Sequence, residues 1–276
     1  MSGCAGCRKI FKKMKLSRIL PFVVIVGLCA ISCKSQYAAL LESNDADAKY
    51  AAAFDYFNKG KYSKSAALFE SLSLLVGGTA REDSVLYYWG LSNYSMGDYY
   101  TAETNFTKFV STYPYSPLEE SAEFLRVDCL YKATLRYELD QTPTYTAMQA
   151  ISAYLINNPD SPNADICRHM LEDLGERLDR KAYENAKLYY KMEDYLASRV
   201  AFKNILRDDA DNVYREDILY YSAMSSYKYA EMSVKSKQKD RFLVFMDDYL
   251  NFIGEYPESS YRKELDRLYA KVKENY

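Results

Sequence analysis

The sequence has 276 residues, with 38 aspartates and glutamates against 36 lysines and arginines. Six of the cations lie in the first 32 residues, so the rest of the chain has 38 acidic residues against 30 basic ones. Because phosphate contacts need clustered cations, such a chain is not expected to bind nucleic acid. Glycine and proline are scarce, at 10 and 7 residues, and this favours a chain that is helical nearly throughout.

Residues 1–32 have the order of an export signal. The basic residues lie before position 19, and an apolar run of 13 residues follows at 19–31 and ends in small residues. The order basic, apolar, small is typical of secretory signals. The run is short of the roughly 20 residues that a membrane-spanning helix needs. Either Met1 or Met14 can be the start of this signal.

Cys33 directly follows the signal and is preceded by Ala30-Ile31-Ser32. Small residues before a cysteine at this point are what lipoprotein signal peptidase accepts, so we predict that Cys33 is acylated and becomes the new N-terminus. Acyl chains anchor stably, since each buried methylene contributes roughly 0.8 kcal/mol. With Cys33 acylated, residues 33–45 would be a lipidated linker. The alternative is ordinary cleavage and a free cysteine.

Helix–turn–helix units recur along the rest of the chain. With Asp83 as position 1, positions 8, 15, 17, 20, 24, 27 and 32 are Gly90, Gly97, Tyr99, Ala102, Phe106, Phe109 and Pro114. These are the signature positions of the tetratricopeptide repeat. Small residues at positions 8 and 20 let two helices approach, and the large residues fill the space that is left.

Further units follow the same pattern. The first unit covers 46–77, the third about 118–160, and the fourth and fifth lie in the C-terminal half, the fifth with a longer linker around 233–239. A long helix at 161–190 is predicted to join the two halves, and a capping helix at 261–274 to cover the end of the array. The predicted fold is therefore all-α: a right-handed superhelix of about five tetratricopeptide repeats with a C-terminal capping helix.

The concave face of such a superhelix is lined by the first helix of each pair. Repeat positions 5, 9, 12 and 13 usually point there. In the first three units these and aligned positions are Tyr50, Phe54, Phe57, Asn58, Tyr87, Leu91, Tyr94, Ser95, Asp128, Tyr131 and Lys132. We expect an aromatic groove that binds an extended segment ending in an aromatic residue. The alternative is that these rings pack between neighbouring helices.

The combination of a lipidated cysteine, five repeats and Tyr-Pro-x-Ser junctions resembles the outer-membrane assembly lipoproteins of the BamD/ComL type. The closest match is the stretch 186–205, where Tyr189, Tyr190, Tyr195 and Arg199 occupy the places of the family's tyrosines and arginine. The resemblance covers most of 37–270. The stretch 208–212 departs from it, because the family usually has another Tyr-Pro junction there.

This resemblance implies a role in folding β-barrels into the outer membrane. Repeats 1–3, at 46–160, would hold the substrate groove for unfolded outer-membrane protein precursors. Repeats 4–5 and the cap, at 161–276, would dock on the periplasmic domains of the barrel-forming assembly protein, with Tyr195 and Arg199 as docking residues. The alternative for Arg199 is an exposed helix-surface arginine. The lipid anchor would hold the protein at the outer membrane, facing the periplasm.

The residues offer no catalytic pattern, so we predict a binding protein without enzymatic activity, cofactor or metal. His169 is the single histidine and is expected at the surface or between helices, and no HExxH, GxxxxGK or GxGxxG stretch occurs. Cys129 and Cys167 are predicted to be buried in helices, although a disulfide stays open for an exported chain. The alternative functions are a periplasmic repeat lipoprotein that scaffolds cell-wall or division proteins, and a surface lipoprotein that binds glycans.

Overall fold

The computed structural model describes residues 36–275, and all regular secondary structure in this range is α-helical, as predicted. The helices are α1 (Gln36–Glu42), α2 (Ala46–Asn58), α3 (Tyr62–Ser73), α4 (Glu82–Met96), α5 (Tyr99–Thr112), α6 (Glu119–Lys132), α7 (Thr142–Asn157), α8 (Ala164–Lys191), α9 (Tyr195–Asp208), α10 (Arg215–Glu231), α11 (Lys235–Glu255) and α12 (Arg262–Asn275). Between residues 36 and 275, no helix combines the length and apolar character that crossing a bilayer requires. The predicted export signal, both possible start residues and Cys33, which we predict to be acylated, lie outside the described residues.

The helices form two compact units, of which the first ends at Gly97 and the second begins at Asp98. In the first unit α2 packs on α3 and α3 on α4, and α1 contacts both α2 and α3. In the second unit each helix from α5 to α12 packs on the next. Packing between consecutive helices is the arrangement of a helical repeat protein, in which each element contacts its neighbours. The functional division that we place after residue 160 stays a prediction.

The two units repeat one another in detail. In the first, the Ser65 hydroxyl donates to the carbonyl of Ala53 at 2.9 Å and lies 3.2 Å from the Ser92 hydroxyl. In the second, Ser198 and Ser225 form the same buried pair at 3.1 Å. From 65 to 198 and from 92 to 225 the spacing is 133 residues in both cases. The chain therefore contains an internal repeat with this period.

The predicted long helix and the predicted C-terminal helix are confirmed, whereas the predicted linker around 233–239 is wrong for most of its length. The long helix is α8, with 28 residues, and the C-terminal helix α12 buries Leu265 and Val272. Residues 235–239, expected to belong to a linker, instead form the first turns of α11. The Gln238 side chain donates to the carbonyls of Glu231 and Ser233, so it ties this turn to the end of α10. Residues 36–42, within the predicted lipidated linker, form α1.

The two cysteines in the described range are buried, as the sequence analysis expects, and both are free, so they do not form the disulfide that the sequence left open. Burial raises the pKa of Cys129 to about 12 and that of Cys167 to about 11, so both thiols stay protonated at neutral pH. His169 lies at the surface, with its Nδ1 3.0 Å from the Glu172 carboxylate. Of the two places that the sequence allows for His169, the surface is therefore the one that the structure shows.

The turns within the helix pairs explain why glycine recurs after the first helix of a pair. Gly60 and Gly97 end the first helices of two pairs with φ of 66° and 80°, and in the fourth repeat Glu193 takes this place with φ of 63°. Glu193 has the only positive φ of a non-glycine residue in 36–275. An L-residue held in this region costs about 1–2 kcal/mol.

Replacing Glu193 by glycine is expected to raise the free energy of unfolding by about 0.5–1 kcal/mol, because the left-handed strain disappears while glycine adds some unfolded-state entropy. Urea unfolding would measure this. The matched control is Gly97→Ala, which should lower stability by a similar amount, since a Cβ there meets no atom within 4 Å and only the backbone is strained. A less stable Glu193→Gly protein would contradict this account of the turn.

Candidate functional site

Three of the rings predicted to line a groove come together in the first unit. The ring centre of Phe54 lies 4.8 Å from that of Tyr50, 5.1 Å from Phe69 and 4.7 Å from Tyr88. Phe57 lies 5.2 Å from Tyr88. Phe69 is fully buried, whereas Tyr50, Phe54 and Phe57 are half-buried. The rings therefore form one aromatic cluster that is partly core and partly surface.

The other predicted groove positions of this unit differ in exposure. Tyr87 is buried at 8% exposure, with its ring 5.4 Å from Tyr88. Leu91 and Tyr94, one turn apart on α4, are half-buried, and Asn58 is exposed. Ser95 is exposed as well, and its hydroxyl donates to the carbonyl of Leu91 at 2.7 Å. Packing thus accounts for the buried rings, and the polar positions remain accessible.

Tyr50 connects the aromatic cluster to charged residues. Its hydroxyl lies 3.3 Å from that of Ser84, and the guanidinium of Arg81 lies 5.1 Å from its ring centre. Arg81 also pairs with Asp47 at 2.5 Å, at the surface. The hydrogen bond that Arg81 donates to this carboxylate raises the pKa of Arg81, which keeps the guanidinium charged. One edge of the aromatic cluster is therefore polar.

Tyr131, the predicted groove residue of the third repeat, belongs to the second unit. Its hydroxyl donates to Asp173 at 2.9 Å, and the guanidinium of Arg177 lies 5.5 Å from its ring centre. The neighbouring Lys132 pairs with the buried carboxylate of Asp128. These polar side chains are bonded within α6 and α8, and the Tyr131 ring is half-buried.

Tyr195 and Arg199, the predicted docking residues, lie one turn apart on α9. The Tyr195 ring is half-buried, 5.4 Å from Tyr190. It lines a shallow cavity of about 210 Å³ together with Leu196 and Met232, which are both exposed apolar side chains. Glu193, Asp194, Ser233 and Arg241 also line this cavity, so its lining is both apolar and polar.

Arg199 differs from the exposed arginine that the sequence allows. Its Nε and Nη2 donate to the two oxygens of Asp248 at 2.5 and 3.0 Å, and Nε also lies 3.0 Å from the Ser226 hydroxyl. Lys203 pairs with the same carboxylate at 2.9 Å. The Asp248 side chain is only 3% exposed. Arg199 therefore joins α9, α10 and α11 through a buried ion pair, a partnership across 49 residues that no local sequence signal reveals.

The charge state of Asp248 follows from these contacts. Burial alone would raise its pKa, but the hydrogen bonds from Arg199, Ser226 and Lys203 together outweigh burial and hold the pKa below its ordinary value. The carboxylate is thus ionised at neutral pH. It neutralises part of a local cluster of cations.

A family model described as "YfiO: Outer membrane lipoprotein" matches residues 42–243. The matched segment begins at the end of α1 and ends within α11, so it includes the aromatic cluster of the first unit and most of the helices around Arg199. A search of curated proteins found no match to this chain.

Proposed function

This chain belongs to the YfiO family of outer membrane lipoproteins, and from that membership we propose that it is a non-catalytic component of the machinery that assembles β-barrel proteins in the outer membrane. It would bind unfolded barrel precursors and the barrel-forming assembly protein, the latter through its periplasmic domains. The observation that carries this proposal is the family match over 42–243, which covers more than two thirds of the chain.

The proposed anchor is an acylated Cys33. It would hold the repeats on the periplasmic face of the outer membrane, a short distance before α1. Two or three acyl chains give stable attachment, whereas a single chain gives only reversible binding. The repeats would then need no membrane-spanning segment to stay at the site of assembly.

Precursor binding is proposed for the first unit. Its α2 and α4 present half-buried rings and the exposed Asn58, a combination of apolar contact area and polar groups that suits an extended polypeptide. Aromatic side chains give a large contact area at low entropic cost. An unfolded segment that ends in an aromatic residue would fit this surface.

Partner docking is proposed for the surface around Tyr195. Exposed Leu196 and Met232 supply apolar contacts there, and such side chains are typical of a protein interface centre. Arg199 would act mainly by holding α9 in place through Asp248, rather than as a free charge. Tyr195 would then contact the partner from a fixed position.

The proposal is tested by affinity purification of the tagged protein from outer membranes. We expect recovery of a large barrel protein with periplasmic domains. Cys33→Ser should leave the protein in the soluble periplasmic fraction, because the thiol to be acylated is gone. The matched control is Cys29→Ser, which changes the other cysteine near the end of the signal and should keep the protein at the membrane. Recovery of peptidoglycan synthases instead would favour the cell-wall scaffold.

A further inference from the structure

A surface of lysines and tyrosines lies beside the start of α1. Tyr37 of α1 packs edge-on against Tyr56 of α2, with the ring centres 5.5 Å apart, and its hydroxyl donates to the carbonyl of Lys64 at 3.2 Å. The turn between α2 and α3 and the first turn of α3 add exposed cations, which are Lys59, Lys61 and Lys64. These five residues form the basic end of the first unit. We propose that the basic end binds the phosphate headgroups of anionic phospholipids.

The covalent chain keeps the basic end close to the membrane. This step rests on the anchor proposed above, an acylated Cys33, whose acyl chains insert among the lipids and place the residue at the headgroups. Three peptide links join Cys33 to Gln36, the first residue of α1, and they span at most about 11 Å. The charge of an anionic membrane acts over about 8 Å at physiological salt, so the long lysine side chains beside α1 can come within its range.

The two ends of the first unit differ in charge. At the basic end Lys59 pairs with Asp55 at 2.7 Å, whereas within residues 36–275 neither Lys61 nor Lys64 forms an ion pair with a carboxylate. At the opposite end, where α2 and α4 begin and α3 ends, carboxylates outnumber cations. These carboxylates belong to Asp45, Asp47, Glu70, Glu82 and Asp83. The uncompensated cations are thus at the end from which the chain leads to Cys33.

The tyrosine rings hold the two uncompensated ammonium groups at the surface. The Nζ of Lys64 lies 5.0 Å from the ring centre of Tyr37 and 5.4 Å from that of Tyr56, and the Nζ of Lys61 lies 6.0 Å from Tyr56. Such contacts are weak at exposed sites, so each ammonium group can still donate to a phosphate oxygen. Tyrosine is also enriched at membrane–water interfaces, because its ring is apolar and its hydroxyl is polar. The basic end therefore offers cations for the phosphates and rings for the interface.

The charge of the whole protein makes this contact specific to one surface. From residue 33 onwards the chain has 38 acidic residues against 30 basic ones, so an anionic membrane repels the protein as a whole. Only a locally basic surface can approach the headgroups. The first unit would therefore lie with the turn between α2 and α3 towards the lipid and with its acidic end away from it.

The probe is a pair of vesicle preparations, one of phosphatidylcholine alone and one of phosphatidylcholine mixed with phosphatidylglycerol. The mature Cys33→Ser protein is used, so that no acyl chain contributes to binding. Co-sedimentation should show binding to the anionic vesicles that is at least about twentyfold tighter than binding to the neutral ones, since each lysine near an anionic surface contributes about fivefold in Kd. Equal binding to the two preparations, or binding to neither, would overturn the proposal.

Two double variants test which lysines are responsible. Lys61→Gln with Lys64→Gln should remove most of the preference for anionic vesicles, about fivefold in Kd for each lysine. The matched control is Lys237→Gln with Lys239→Gln, which changes the net charge equally at two exposed positions of α11 and should keep the preference. Equal losses in the two double variants would mean that net charge alone governs binding and would overturn the proposal.

A second measurement locates the contact on the protein. On anionic vesicles Lys61 and Lys64 should be acetylated more slowly by an amine-reactive reagent than on neutral ones, whereas Lys237 and Lys239 should react at the same rate on both. Protection of all four lysines, or of none, would contradict the proposed orientation. The vesicle assay contains neither an acyl anchor nor an assembly protein, so it can fail while the function proposed above holds, and a failure of the anchor appears separately as an unchanged distribution of Cys33→Ser between membrane and periplasm.

Discussion

Replacing Asp248 by asparagine is expected to lower the free energy of unfolding by about 3–5 kcal/mol, because removing one partner of a buried ion pair leaves uncompensated charge. The lost carboxylate accepts from Arg199, whose side chain is 21% exposed, and from the half-exposed Lys203. Asparagine has a similar shape but can accept at only one oxygen. Since the carboxylate joins three helices, we expect a large loss, measured by urea or thermal unfolding.

The matched control is Asp247→Asn, at the exposed neighbouring position on α11. It changes the net charge of the protein by the same amount, so a general charge effect would act on both variants. We expect a change within about 0.5 kcal/mol for Asp247→Asn, as for most surface substitutions. Equal losses in the two variants would refute the special role of Asp248.

The pH dependence of stability provides a second measurement on the same pair. In the folded protein the pKa of Asp248 is lowered, so the unfolded chain binds its proton more readily. The stabilisation is therefore fully present above the unfolded pKa of about 4 and is lost as the pH falls through the folded value. Asp248→Asn should remove this component, so that the wild-type and variant stabilities converge below about pH 4.

The repeat architecture could be predicted because its signals are local. Small residues such as Ala53 and Ala102 recur at helix contacts, and both are fully buried. Aspartates at positions 98 and 194 accept from the backbone N–H groups of Thr101 and Ala197 and so begin α5 and α9. Each of these features involves residues within one helix pair. Periodicity and spacing therefore contain the information that places them.

The remaining features depend on contacts that spacing does not encode. The ion pair between Arg199 and Asp248 joins helices in different repeats. The sequence analysis therefore predicts Arg199 as a surface residue. The start of α11 was missed because residues 235–239 are polar and resemble a linker, although Lys and Gln are good helix formers.

For the predicted aromatic groove, spacing also does not reveal which single rings are needed for packing. Phe54 is a predicted groove residue, but its ring contacts Tyr50, Phe69 and Tyr88. Truncating it would disturb this aromatic cluster, and lost binding would then not separate recognition from folding. The test is therefore placed at Tyr94, whose half-buried ring lies on α4 beside Leu91, another predicted groove residue.

Tyr94→Ala is expected to weaken binding of a barrel-precursor peptide that ends in an aromatic residue about thirtyfold in Kd, or ~2 kcal/mol, as for an interface hot spot. Fluorescence anisotropy of a labelled peptide would measure this. The control is Leu74→Ala, which removes an apolar side chain that is 87% exposed in the same unit but lies outside the predicted groove. If both variants bind like the wild type while remaining folded, the half-buried rings of α2 and α4 serve packing alone. If only Tyr94→Ala loses affinity, the experiment is repeated with a peptide in which alanine replaces the terminal aromatic residue. A smaller loss with that peptide would mean that the Tyr94 ring and the terminal ring of the peptide contact each other, because the effects of the two substitutions are then coupled.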